Sequence, residues 1–277
     1  MIINLPIKFK NLFNVREFKL RTLSTVILLC LFYGLYILGN PFFSFFFIII
    51  FFILFYEFEF ICWNKIKKNQ IFKILIFQFL LLTFLTSEIY VLKIIVEFSN
   101  FLVLLTVSLF INLLFFKTYI NWLSFFISNL IILSFFSLIN ILIQPNGLNY
   151  FLYLVILIST MDIFAYLGGK IFGYQKIAPK ISKGKTVEGT LIGLCVTILM
   201  SIMTKYLVNF DTFQAFIVGF LIGLLAFFGD LLESHLKRDI GVKDSGKVIP
   251  GHGGVMDRFD GYFLILPLYN VYLVNWL

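Results

Sequence analysis

The chain has 277 residues, of which 61% are hydrophobic and 13% charged, about half the charged share of a soluble domain, and its mean hydropathy is +1.01. These values exclude an ordinary water-soluble fold and place the chain in a bilayer. The net charge of +8 would suggest nucleic acid in a soluble protein, but here the basic residues sit in short gaps between apolar runs, where they set topology; no nucleic-acid partner is expected.

Apolar runs of roughly 20 residues match hydrocarbon thickness. They predict about nine spans, near residues 23–40, 41–63, 71–87, 101–116, 119–143, 148–173, 187–207, 213–241 and 259–277. The fold class expected is all-α, one integral membrane domain. Residues 1–150 form its N-terminal region of about five helices and residues 151–277 a C-terminal catalytic region of about four. The basic stretch before the first run is expected to be a retained cytoplasmic end, since no small-residue cleavage site follows it. With that end inside, the clusters Lys8 to Arg21, Lys65 to Lys68, Lys117, Lys170 to Lys185 and Lys237 to Arg258 also fall inside, leaving only Lys73, Lys93 and Lys205. That asymmetry supports the count of nine spans with the N-terminus cytoplasmic; the localisation expected is a bacterial inner membrane. Cys30, Cys62 and Cys195 have no paired spacing and read as packing residues.

The first half is mostly Phe, Ile and Leu, read as lipid-facing filler, with Glu57 and Glu59 as acidic exceptions. After residue 150, costly polar groups accumulate. Asp162 and Asp230 lie deep in their spans, roughly 21 and 26 Å from the outer ends at 1.5 Å per residue. Asp257 and Asp260 begin the last span, so four carboxylates share the cytoplasmic edge. Each needs a cation, a hydrogen-bond donor or water, and hard oxygen ligands without a His/Cys cluster favour magnesium over zinc. For Asp260, capping of a helix start is an equal reading.

The densest polar stretch runs from Ser234 to Gly261 and includes Lys237, Arg238, Lys243, Asp244, His252, Gly253, Gly254, Asp257, Arg258 and Asp260. Close-set glycines let backbone N–H groups approach phosphate oxygens, while Lys and Arg neutralise them. Ser182, Lys185 and Thr186 sit just before the span starting near Val187 and read as a second phosphate cradle at a helix N-terminus, with an ordinary capping box, Ser or Thr with a nearby acidic residue such as Glu188, as the alternative.

At these residues the chain resembles the phosphatidate cytidylyltransferase family, the CDP-diacylglycerol synthases. The family's C-terminal signature falls on Ser234, Lys237, Arg238, Lys243, Asp244, His252, Gly253, Gly254, Asp257, Arg258 and Asp260; its upstream pattern falls on Asp162, Ala165, Tyr166, Gly173, Pro179, Ser182, Lys185, Thr186, Glu188 and Gly189. Where the family usually has Ser-Pro-Lys-Lys-Thr-Trp-Glu-Gly, this chain has Lys183 and Gly184 in the middle and Val187 for Trp. The resemblance covers about residues 160–262. It implies a homodimer among membrane lipids, CTP and phosphatidic acid as substrates, and metal ligands at Asp230 and Asp257. The metal expected is Mg2+, with a second, monovalent cation left open.

The expected reaction is attack by the phosphate of phosphatidic acid on the α-phosphorus of CTP, giving CDP-diacylglycerol and pyrophosphate. Asp230, Asp257, Lys237, Arg238, His252 and Arg258 are the expected catalytic group. Ser182, Lys185, Thr186, Glu188, Ser234, Lys243, Asp244, Gly253, Gly254 and Asp260 are the expected substrate contacts. His252 reads equally as part of its glycine turn, and His235 as structural. The alternatives are a CTP-dependent kinase of a lipid alcohol and, less favoured, a cation transporter.

Overall fold

The computed structural model describes residues 26–27, 30–62, 122–246, 248 and 253–276. Residues 30–38 are helical, and α1 (Asn40–Cys62) follows. After the described chain resumes come α2 (Trp122–Ile143), α3 (Gly147–Phe172), β1 (Lys176–Ala178), β2 (Ser182–Thr186) and α4 (Val187–Thr204). A single 3-10 turn at Lys205–Leu207 leads to α5 (Thr212–Ile240), α6 (Met256–Phe259) and α7 (Tyr262–Trp276). Five helices among the described residues are long and apolar enough to cross a membrane; α7 has a shorter apolar stretch, Tyr262–Leu273. This is a helical membrane protein. The spans expected at 71–87 and 101–116 lie outside the described residues, as do 119–121 at the start of another.

The all-α expectation needs one correction, because Lys176–Ala178 and Ser182–Thr186 pair as a two-stranded antiparallel hairpin. Its turn is Pro179-Lys180-Ile181, with the Ile181 N–H donating to Ala178 O at 3.1 Å. Proline cannot donate to a ladder, and a turn is where it costs least. The hairpin ends where Thr186 takes up the N-cap of α4, its hydroxyl accepting from the Gly189 N–H at 3.2 Å. Among the two readings of Thr186, helix capping is the one with a bond behind it.

The phenylalanines of the first half divide by face. Phe43, Phe47, Phe51, Phe55 and Phe58 recur every three or four residues along α1 and are buried, whereas Phe42, Phe45 and Phe60 are exposed. Phe47 and Phe151 meet edge to face, and Phe51 stacks on Phe135 with ring centroids 4.1 Å apart. The filler reading therefore holds for one stripe of α1 only; the other is core.

The helix α2 is the most enclosed of the five, and it buries Ser124, Ser128, Ser134, Ser137 and Asn140. In lipid, small and polar side chains hold helices together by close approach and hydrogen bonds. Asn140 donates to Asn270 of α7 at 2.8 Å. Ser134 Oγ reaches Phe263 O at 2.7 Å. That carbonyl lies four residues before Pro267, which has no N–H to offer it.

The α3–α4 crossing positions the hairpin beside Asp162. A Cβ on Gly189 would meet Ala165 O at 2.5 Å and Gly169 N at 2.7 Å, both backbone atoms, so only glycine permits this approach. Gly189→Ala is expected to force the helices apart at an overpacking cost of about 1–3 kcal/mol. The measurement is the thermal midpoint of purified protein in detergent, which should fall by several degrees; an unchanged midpoint would show that the crossing is not this tight.

Candidate active site

A cavity of about 470 Å3 opens between α3, the hairpin, α5 and the α6–α7 junction, a volume in the range of small-ligand sites. Four carboxylates line it, Asp162, Asp230, Asp257 and Asp260, with two cationic side chains, Lys185 and Arg258. The four acids that the sequence placed at one depth thus surround one space. Lys185 Nζ pairs with Asp230 Oδ2 at 2.8 Å, donates to Phe227 O at 3.2 Å and sits 4.8 Å from the Phe227 ring centre. Ser234 Oγ donates to Asp230 Oδ1 at 3.2 Å, one helical turn along α5. Ser182, Gly184 and Thr186 complete the hairpin side.

Asp257 is the most heavily bonded of the four. Lys237 Nζ donates to its Oδ1 at 2.8 Å, Gly254 N–H to its Oδ2 at 2.9 Å, and Ser245 N–H is shared between both oxygens at 3.1 and 3.0 Å. Burial pushes the Asp257 carboxyl up, but the Lys237 ammonium and the backbone N–H groups outweigh it and hold it below the usual carboxylate range. Asp260 is the opposite case. Burial first, then the neighbouring Asp230, Glu233 and Asp162, pushes its carboxyl well above that range, against a single bond from the Gly261 N–H at 2.7 Å.

Lys237 also pairs with Glu233 one turn back on α5. Glu233 is 1% exposed, so one ammonium serves two sheltered carboxylates. The sequence reading omitted Glu233 and cast Lys237 as a phosphate clamp. The available signal was the four-residue spacing of Glu233 and Lys237 on one helix face. Asp162 was recognised as an acid but left out of the site, which it lines.

Several expected contacts stand elsewhere. Glu188 accepts from the Tyr174 N–H at 2.9 Å and the Gln175 N–H at 3.2 Å, tying the hairpin's start to α4. Arg238 is exposed and donates to Val242 O at 2.9 Å, and Lys243 and Asp244 are exposed beyond the cavity lining. His235 pairs with Asp239 at 3.2 Å on an exposed face of α5. His252 lies outside the described residues, while Gly253 and Gly254 flank Asp257.

Among the described residues no three Asp, Glu, His or Cys side chains come together as a group that could hold a metal ion, although Asp230 and Asp257 both line this cavity. Four carboxylates against two cationic side chains leave an excess of negative charge, before any anionic substrate enters. Asp230 faces the space with oxygen donors. Asp257 has three donors making four bonds on about four acceptor positions, so a ligand bond there would share or displace one of them.

The chain matches the sequence model of the cytidylyltransferase family over residues 19–276. It belongs to that family. Among curated relatives, the phosphatidate cytidylyltransferase of Staphylococcus aureus (strain COL) is 40% identical over 134 residues, covering 48% of this chain and 52% of the relative. That of Staphylococcus haemolyticus (strain JCSC1435) is 38% identical over the same length and shares. A protein of Escherichia coli (strain K12), YnbB, whose name carries no activity, is 45% identical over 124 residues, 44% of this chain and 41% of the relative. The chain spans about half the length of the curated relatives it matches.

The shared ammonium of this cytidylyltransferase-family site makes a testable pair. Lys237→Met leaves Glu233 without its cation and Asp257 with only its backbone N–H donors, a change that costs about 3–5 kcal/mol when a buried pair is broken. Adding Glu233→Gln should recover part of that loss. Thermal unfolding of the two single variants and the double variant tests this; strictly additive losses would mean that Lys237 and Glu233 are not coupled.

Proposed function

We propose that this protein transfers CMP from CTP to phosphatidic acid at the cytoplasmic face of a bacterial inner membrane, forming CDP-diacylglycerol and releasing pyrophosphate. The observation that carries the reading is the cavity between α3, the hairpin and α5, where carboxylates and cationic side chains converge within the stretch that matches the family. The names of the staphylococcal relatives support the choice of substrates.

A phosphate oxygen of phosphatidic acid forms a new bond to the α-phosphorus of CTP, and the bond from that phosphorus to the β-bridging oxygen breaks. The nucleophile is already anionic, so the site needs no strong general base. Its work is to bring two anions together in line and to stabilise the leaving pyrophosphate. Lys185 and Arg258, facing the cavity, are placed to contact phosphate oxygens. Lys237 holds Asp257 in position rather than reaching the cavity itself. Asp230 and Asp257 would hold Mg2+, with Asp162 and Asp260 beside them. When bound, that ion supplies neutralisation of phosphate charge and alignment of the triphosphate.

Purified protein given CTP, phosphatidic acid and saturating magnesium should release pyrophosphate and CDP-diacylglycerol in equal amounts. Release of CDP would favour the lipid-alcohol kinase, and ion flux with neither product the transporter. Asp230→Asn and Asp257→Asn keep shape and remove charge, and each should lower turnover at least about a hundredfold, equivalent to about 2.7 kcal/mol at 1.36 kcal/mol per tenfold. Asp239→Asn, in the exposed pair with His235, should retain most activity. Near-normal pyrophosphate release from both cavity variants would remove the metal assignment.

Orientation has a separate check. Lys180→Cys and Lys243→Cys, both at exposed positions, in a background lacking Cys30, Cys62 and Cys195, should be labelled only from the cytoplasmic side. Periplasmic labelling of either would contradict the proposed topology.

A further inference from the structure

The donors that hold Asp257 come from a loop leaving α5 and returning into α6, and one side chain from outside the C-terminal half grips that loop at both ends. Glu57 of α1 is 4% exposed. Its Oε2 accepts from the Met256 N–H at 3.0 Å and lies 3.4 Å from Ser245 Oγ. Ser245 is therefore held between two acids, its hydroxyl turned to Glu57 and its N–H to Asp257. Met256 is the residue immediately before Asp257, so its N–H fixes the start of α6.

The packing around this carboxylate is closed. A Cβ on Gly254 would come within 2.6 Å of Glu57 Oε2, and one on Gly246 within 2.9 Å of Glu57 Cδ. The acid occupies the room that the two glycines leave. An ionisable group in a membrane span costs roughly 2.5–3.5 kcal/mol, and an apolar side chain would fill the same volume at no such cost. What an apolar residue lacks is an acceptor for the Met256 N–H. Glu59, two residues on and 1% exposed, has no hydrogen-bond partner for either oxygen among the described residues. Buried acidity alone therefore does not explain the contacts of Glu57; its reach to the loop does.

Taking the cytidylyl-transfer reading as given, we infer that Glu57 is a positioning residue: through Met256 and Ser245 it fixes the Asp257 carboxylate in the cavity. The first described long helix thereby sets the geometry of a site otherwise built by the C-terminal half. Glu57 touches no cavity atom and takes no part in bond making.

Two substitutions in the full chain separate reach from charge. Glu57→Gln keeps the length and an oxygen that accepts the Met256 N–H but loses the charge. Glu57→Asp keeps the charge but withdraws the oxygen by one methylene. Glu57→Gln is expected to stay within about threefold of the native kcat, whereas Glu57→Asp should lose at least about tenfold. Glu57→Asp should also need more magnesium for half-maximal rate, and the Met256 amide should exchange with deuterium faster. Glu59→Gln should match the native protein in all three readouts.

A Glu57→Asp variant with native kcat, magnesium dependence and exchange would overturn the inference. So would Glu57→Gln being the more damaged of the two, since charge rather than reach would then act. Slow turnover of Glu57→Asp with native exchange at Met256 would overturn it as well. If the native protein forms no CDP-diacylglycerol, the functional reading fails by itself, and the exchange comparison still decides whether Glu57 holds the loop.

Discussion

A charged carboxylate sheltered at the end of a helix bundle in a membrane calls for a cation or N–H donors, and Asp230, Glu233 and Asp257 in the C-terminal half of this protein are arranged around that requirement. Lys237 serves Glu233 and Asp257 together, and Lys185 reaches across from the hairpin to Asp230. Removing either lysine would strand acids in a medium where an unpaired charge is expensive. The hairpin is needed because Lys185 must approach α5 from the side of α4, and a short strand pair projects it there. The glycine-mediated crossing of α3 and α4 then brings Asp162 to the same space.

The same arrangement suits a reaction between two anions. Charges fixed before substrate arrives need no reorganisation during the chemical step, and their effect is larger where water is scarce. On the proposed reading a divalent cation would balance the cavity's carboxylates, and Arg258 and Lys185 would offer positive charge to phosphates. Asp260, pushed up first by burial and then by Asp230, Glu233 and Asp162, lies among that group of acids. Specific positioning comes from the second layer: Ser234 on Asp230, Lys237 and two backbone N–H groups on Asp257, and Glu57 behind the loop.

Much of this was legible from the sequence. Apolar runs located α1 to α5 to within a few residues, apart from the start of α2, because spans must be apolar throughout and interrupted by polar gaps. The depth of Asp162 and Asp230 could be counted from the rise of a helix, and both line the cavity with Asp257 and Asp260. The hairpin was not legible, since strands reading Lys-Ile-Ala and Ser-Lys-Gly-Lys-Thr are too short and too polar to carry an alternating apolar pattern. Glu188 stood among the expected substrate contacts through the family pattern, whereas its carboxylate accepts from the Tyr174 and Gln175 N–H groups, partners that nothing in the local sequence singles out. Glu57 was visible as a costly residue but its partners lie 188 and 199 positions away, and pairing at that separation depends on helix packing that one sequence does not encode locally. The division of the phenylalanines into a core stripe and a lipid stripe was obscured for a related reason, since both faces of α1 are equally apolar.

Cytidylyl transfer by attack of a lipid phosphate makes a specific claim about which oxygen bridges the product. With phosphatidic acid carrying 18O in its phosphate group and unlabelled CTP, mass spectrometry of the products tests it directly. The account predicts that all of the label remains in CDP-diacylglycerol, with the bridging oxygen supplied by phosphatidic acid, and that the pyrophosphate is unlabelled. Label in the pyrophosphate, or CDP as the nucleotide product, would contradict it.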